Sequence, residues 1–453
     1  MIGIANPSFE QFIRAILAMR SAPLPESAIV RAKHILADLA GCAWLGGQTS
    51  ELGQLAGRIG QAEQTAVAVV PLLGQSRFAA PESSALYHGT ATVALEMEEG
   101  NALAKGHPGA HVFPAAWAAA VQAGSSGEAF IRAFVLGYEA AARLAYAAQL
   151  KPGFHAHGTW GAVGGCLAAG LLYESPDEDI VGAALLAASL PLASASAANG
   201  TGASVRNLYA GWSGWSSLQA FQLFRDGFRS HPDVVHQVWN GLIAERLEEG
   251  RLLDRLAAPL LVERNYFKLY PSCRFAHAPI EALQQLLHTH RWQPDEVAEV
   301  FVETHRLAMD MKTAAPPNPL AAMFSIPFLL ALTAWGYGPY LQEDDPLLRD
   351  SRLLDWAGRV QVSEDLQLTA QLPSVRAARV RVRLRSGEAY EALVEFPSGG
   401  EERPLDTERL LDKFSRWPAR ESSGELDRLL ADALQLEKFE YVVNWAVGPH
   451  QYI

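Results

Sequence analysis

The feature that most limits the possible folds is the supply of small residues in the first half of the chain. Alanine and glycine recur through 130–150, 161–171 and 182–203. Helix faces built from small side chains let backbones approach closely, so such a chain buries itself helix against helix. Local signals divide it. Ser8 with Gln11 resembles a capping box, and Phe9, Phe12, Ile13, Ile16 and Leu17 fall at helical spacing. A second helix runs from about Pro25 to Gly46-Gly47, with Ile29, Ile35, Leu36 and Leu39 inward. Residues 112–148 predict two helices split at Gly124-Ser125-Ser126-Gly127, and Pro114 is placed to open the first, because a first-turn proline loses no helical hydrogen bond. Residues 1–265 therefore read as one all-helical domain.

The texture changes near Asn265. Residues 297–304 and 376–396 alternate and are rich in valine, and Ser386-Gly387 supplies a hairpin turn in the second. Helical patterns lie between them at 277–289 and 319–335, so 266–398 reads as a smaller α+β domain. Charge rises after Pro397, and helices return at 405–415 and 424–437 within the segment 399–453. The fold class is mainly α: a large all-helical domain plus a smaller α+β domain, which 453 residues are enough to fill.

Charge and cysteine content bound the function. A net charge of −12 argues against a nucleic-acid partner, which needs a broad basic surface, but leaves room for a basic pocket and a small anionic substrate. Cys42, Cys166 and Cys273 are far apart, with no C-x-x-C pair, so no disulfide framework or thiolate metal site is expected. The apolar run 181–198 is broken by Ser189, Pro191, Ser194 and Ser196 and reads as a buried helix pair, not a membrane span. With no basic region and apolar block at the N-terminus, no signal peptide is expected, and the cytoplasm is the expected compartment.

Residues 85–115 hold the densest chemistry. Glu96, Glu98 and Glu99 precede a Gly100-Asn101 break, then Lys105, His107-Pro108-Gly109 and His111. Acids near the end of one helix thus share a loop with a histidine ahead of the next, and such a loop can turn a proton donor and a proton acceptor into one pocket. Taken singly, each residue has a plainer reading: a solvated acid, a histidine capping carbonyls.

Further segments join this one in a wider pattern: Gly153-Phe154-His155 with Thr159, Gly161 and Gly164; Arg206-Asn207-Leu208-Tyr209-Ala210-Gly211; Phe267-Lys268-Leu269-Tyr270-Pro271-Ser272-Cys273 followed by His277; and Ser325-Ile326-Pro327-Phe328. Together they resemble the MmgE/PrpD family, over nearly the whole chain. That family has N-G-x-x-x-H-x-x-D-[FM]-[DN]-D, a loop, H-P and a PAxxA helix, then K-x-[YF]-P-x-C-x-x-x-H, the most specific match here. The resemblance implies a dehydratase, decarboxylase or epimerase acting on small di- and tricarboxylates, a homodimer, and C-terminal helices that rejoin the helical domain.

Removing a proton beside a carboxylate builds negative charge on it, and fixed cations in a dry site must meet that charge. The resemblance makes Lys268 and Arg206 the cations, with His107, Lys268, His155 and Glu96 as catalytic residues. Arg206, Phe328, Ser325 and His277 become substrate-binding residues. No metal and no cofactor are then required. Several positions depart from the family: Glu96 stands for Asp, Val93 for His, His88 for Asn, His157 for a small residue, Arg206 for Lys and Phe328 for Tyr. Glutamate reaches about one bond further, arginine offers a planar fork, and phenylalanine cannot donate a hydrogen bond, so the pocket is expected to differ from the family's usual one. Two other readings are open. His107, His111, His155, His157 and the glutamates are metal-ligand types, as in a metal hydrolase. The departures could also mark a non-catalytic binding protein on the same fold.

Overall fold

The computed structural model describes residues 8–62, 70–254, 256, 259–417 and 424–447. The first seven residues, on which the signal-peptide expectation partly rests, and the last six of the C-terminal segment lie outside the described residues.

The chain opens on α1 (Phe9–Leu17), where Ser8 and Gln11 form the expected reciprocal cap. The helical body continues with α2 (Glu26–Gly46), α3 (Pro81–Val93), α4 (Pro108–Ala123), α5 (Gly127–Ala147), α6 (Gly161–Leu172), α7 (Asp177–Ala188) and α8 (Val205–Arg225). Small residues do the work expected of them where helices touch. A Cβ on Gly89 of α3 would lie 2.7 Å from the Ala210 carbonyl oxygen of α8, and one on Gly211 would lie 2.4 Å from that of Leu86. Gly89→Ala should therefore force the two helices apart and lower stability by about 1–3 kcal/mol in urea unfolding; an unchanged midpoint would count against this close packing.

Two local expectations are corrected. Pro114 sits inside α4, which opens six residues earlier at Pro108, a first-turn proline with no N–H to leave unpaired. The run 181–198 is not a helix pair: α7 ends at Ala188 and the chain runs on without helix to a single turn at Ala198–Thr201, because Pro191 cannot continue a helix.

The second body contains α9 (His277–His290) and a four-stranded sheet. A short strand, β1 (Gly100–Asn101), pairs with β2 (Asn265–Tyr266) in the helical part. The sheet follows, with β3 (Val297–Thr304), β4 (Val360–Glu364), β5 (Ala378–Leu384) and β6 (Ala389–Val394) in the order β6-β5-β3-β4. Pairings are antiparallel except for β3 with β4, which is parallel. The strand β4 escaped the sequence reading because this edge strand buries none of its residues fully, which blurs the alternation. The 319–335 pattern splits into Pro319–Ala322 and α10 (Ile326–Ala334), with Ser325 as the new N-cap. Two helices, α11 (Thr407–Ser415) and α12 (Gly424–Ala433), follow.

One apolar core gathers residues from Phe9 to Phe267 together with Leu410, Phe414, Leu426 and Leu430 of α11 and α12. A second core, from Ala276 to Val394, lies between the sheet and α9 and α10. Among the described residues no helix is long and apolar enough to cross a membrane.

Candidate active site

The loop between α3 and α4 is held by backbone pairing. Gly100 and Asn101 pair antiparallel with Tyr266 and Asn265, and a Cβ on Gly100 would lie 2.4 Å from the Tyr266 hydroxyl, so the approach requires glycine. Asn101 ties the loop down further: its amide donates to the Leu261 carbonyl at 2.8 Å, and its Oδ1 accepts from the N–H groups of Leu103 and Ala104. This pairing carries Lys268, two residues beyond β2, alongside Glu96. Arg206 arrives from the first turn of α8.

These residues meet in the interior. Lys268 donates to the Glu96 carboxylate at 2.9 Å and to its carbonyl at 3.1 Å. Arg206 donates through Nη2 to the other Glu96 oxygen and through Nη1 to the Val93 carbonyl at 2.7 Å. Glu96, Lys268 and Arg206 are 2, 0 and 1 % exposed, so the ion pairs are shielded from water. Glu96 adopts the left-handed backbone (φ 50°), which costs a non-glycine residue on the order of 1 kcal/mol and is offset by its two cations. Glu98 differs from it. Its Oε1 lies 3.4 Å from His107 Nδ1, 3.6 Å from Lys268 Nζ and 3.8 Å from Arg206 Nη2, yet neither oxygen accepts a hydrogen bond.

The charges sort these groups into fixed and mobile ones. Burial would raise the Glu96 carboxyl, but Arg206 and Lys268 outweigh it and hold it down to about 2. Burial would lower the Lys268 ammonium, but Glu96 and Glu98 hold it above its ordinary range. Both stay charged. Glu98 is pushed up to about 7 by burial, with Glu96's charge adding to it, and Glu99 up to about 8, chiefly by burial. The His107 imidazole is held well below its ordinary value by burial and by Lys268, and burial takes His155 down to about 3. The groups poised near neutrality are thus two carboxyls, Glu98 and Glu99, where histidines were expected.

Four histidine rings line one side. His107 stacks on His157 (centroids 5.3 Å apart, planes 4° apart), and His157 stacks on His155 at 4.6 Å and meets His111 at 4.8 Å. His155 therefore reaches the cluster through His157. The ring nitrogens of His111 and His157 have no hydrogen-bond partners and are buried. Ligand atoms of Glu98, His107 and His157 lie within 4.8 Å of one another and form a possible metal donor set. Lys268 and Arg206 beside Glu98 oppose a divalent cation there.

The remaining candidates sit further out. His277 is fully buried, 3.3 Å from Arg274 Nη1 and against the Tyr270 ring. Ser325 caps α10, accepting the Phe328 N–H at 3.0 Å, and Phe328 packs in the second apolar core. The residue of that segment that meets the cluster is Phe324, whose ring lies 5.6 Å from the Arg206 guanidinium. His88 is a satisfied core histidine, accepting the Leu73 N–H at 3.0 Å. Sequence reasoning also missed Asp38 and Lys413. Lys413 of α11, fully buried, pairs with Asp38 and donates to the carbonyls of Met97 (2.8 Å) and Lys268 (3.2 Å), while Asp38 accepts the Glu99 N–H at 2.8 Å. One ion pair thus holds both loops of the cluster. An acid inside the otherwise uncharged stretch 35–45 of α2, as Asp38 is, was the available signal. Lys413→Met should cost about 3–5 kcal/mol of stability, read by urea unfolding, because it strands Asp38 in the interior; a loss under 1 kcal/mol would remove this pair from the account.

A cleft of about 860 Å³ opens next to the cluster. Ala94 and Leu95, Asn207, and Met323 line it, each one or two residues from a cluster residue: Glu96, Arg206 and Phe324. The Asn207 side-chain oxygen also accepts from Arg206 Nη1 at 3.3 Å. Its walls come from the helical body and from residues 316–323 and 341–349, so it lies between the two parts of the chain.

A helical body and an α+β body joined over a buried cation–carboxylate cluster define the class. The MmgE/PrpD N-terminal domain matches residues 10–249 and the MmgE/PrpD C-terminal domain residues 270–444, and the chain belongs to the MmgE/PrpD family. Among curated proteins it is similar to the cis-aconitate decarboxylase of Aspergillus terreus, 24% identical over 86% of this chain and 85% of the relative. It is also similar to the cis-aconitate decarboxylase-like protein oryM of Aspergillus oryzae, 24% identical over 93% of each chain.

Proposed function

We propose that this protein is a lyase that removes a proton from the carbon beside a substrate carboxylate, with dehydration as the first choice of reaction. The observation that carries this reading is the convergence of two buried cations, Lys268 and Arg206, beside a buried carboxyl, Glu98, that has no hydrogen-bond partner. The cations face the charge that builds on the substrate carboxylate as the proton leaves. His107 is the base: its Nδ1 lies 2.6 Å from the Glu99 carbonyl, which can only accept, so Nδ1 carries the hydrogen and Nε2 the lone pair. In the elimination, Nε2 takes the proton from carbon and the released electron pair forms the new C=C bond. The C–O bond at the next carbon breaks, and the departing oxygen takes the Glu98 proton and leaves as water. His155 orients the histidine array through His157.

Family membership and the decarboxylase relatives support a lyase; decarboxylation or epimerisation on the same carbanion chemistry are the alternatives. Proton NMR in heavy water over small carboxylic acids tests the reading. Deuterium should appear beside the carboxylate in the wild type and not in Lys268→Met. Exchange without loss of water or carbon dioxide would mean epimerisation, and binding without exchange for every acid would reject the lyase. The Glu98–His107–His157 donor set favours one rival, a metal-dependent reaction. Activity lost to a chelator and restored by zinc would establish that rival.

A further inference from the structure

The cleft beside the cluster has the wrong lining for a polyanion. Leu52, Leu95, Leu208 and Leu320 give it apolar walls. Its charged residues are Glu51, Glu343, Asp344 and Asp345 against a single cation, Arg349, among the described residues. That field repels additional carboxylates. The cluster is no better supplied. Arg206 and Lys268 bring two positive charges, and Glu96 already sits on both, leaving one for a ligand. Other arginines nearby are directed elsewhere. Arg274 donates to the carbonyls of Phe267, Pro397 and Ser398, and Arg376 donates to that of Ala102, whereas Arg206 and Lys268, behind the cleft wall, are turned to Glu96. The volume, about 860 Å³, is that of a pocket for a drug-sized molecule and far exceeds what a six-carbon acid fills.

We infer that the substrate carries one carboxylate and an extended apolar tail, the head seated on Arg206 and Lys268 and the tail lying in this cleft. The inference rests on the lyase reading for the chemistry at the head and adds the class of molecule. The neutral amides of Asn207 and Asn318 then mark the passage from head to tail: Asn207 is bonded to Arg206, and Asn318 donates to the Gly202 carbonyl at 3.0 Å across the two bodies.

Calorimetric titration of the full chain with 3-hydroxybutyrate, 3-hydroxyoctanoate and tricarballylate tests this. Affinity should rise roughly fourfold for each added methylene, on the order of 200-fold from the four- to the eight-carbon acid. Tricarballylate, with three carboxylates, should bind at least tenfold more weakly than the eight-carbon acid. Leu320→Asn, and the more exposed Leu208→Asn as a second variant, remove apolar wall without adding charge, and should abolish the chain-length gain while leaving the four-carbon acid unchanged. A flat chain-length series, tighter binding of tricarballylate, or no binding of any of the three overturns the inference. Deuterium exchange in the same samples separates the two claims. Tail-dependent binding without exchange sinks the lyase and keeps the site; exchange on tricarballylate alone keeps the lyase and sinks this substrate class.

Discussion

Lys268→Met should reduce deuterium exchange into the substrate by at least about a thousandfold, the scale expected when a preorganised cation facing a developing anion is removed. The variant should also lose about 3 kcal/mol of stability, at the low end for a broken buried pair because Glu96 keeps Arg206 as partner. Lys268→Arg should not rescue it. The ammonium occupies a fully buried position with donors on both the carboxylate and the carbonyl of Glu96, and a planar guanidinium cannot occupy that point. Exchange rates and urea unfolding on the same preparations check both parts. Exchange within tenfold of the wild type, in a folded variant, would remove Lys268 from the reaction.

Glu98→Gln should have the second largest effect, and its sign with pH is specific. The Glu98 carboxyl is raised in the fold from 4.5 to about 7, so its contribution to stability is fully present below about 4.5 and is lost as pH rises through about 7. Converted at 1.36 kcal/mol per pH unit, the wild type should lose about 3 kcal/mol from this group across that window, and Glu98→Gln should not. Glu96 has the opposite sign: lowered to about 2, it contributes above about 4.5 and fails as pH falls through about 2. For activity, a protonated Glu98 serves the leaving group, so the wild-type rate should fall on the alkaline side of about pH 7. The glutamine variant should lose about a hundredfold or more in rate and with it that alkaline limb. A variant that keeps the limb would assign it to another group, and equal pH dependence of stability in both proteins would show that Glu98 is not raised.

Much of the architecture was legible because it is written in local chemistry. The Ser8–Gln11 cap, the Gly124–Gly127 break and the Ser386-Gly387 hairpin turn are decided by side chains that act on their own neighbours. Where short-range signals conflicted, the reading failed. Two prolines, Pro108 and Pro114, could each open α4, and only packing placed the second inside the helix. The edge strand β4 has too little buried surface to leave an alternating trace.

For the cluster, the family motifs pointed to Glu96, Arg206 and Lys268 as residue types, and the two-residue pairing of Gly100-Asn101 with Asn265-Tyr266 decides that they share one point. The roles of the acids came from tertiary structure alone. Glu96, Glu98 and Glu99 are equivalent along the chain, yet one is neutralised by two cations, one is left without a hydrogen bond, and one binds the start of α4 and Tyr138. The sequence by itself determined the helical and α+β bodies, the family and the inventory of charged groups. Only the folded chain decided which carboxyls hold a proton near neutral pH, because that depends on burial and on charges brought from distant parts of the sequence.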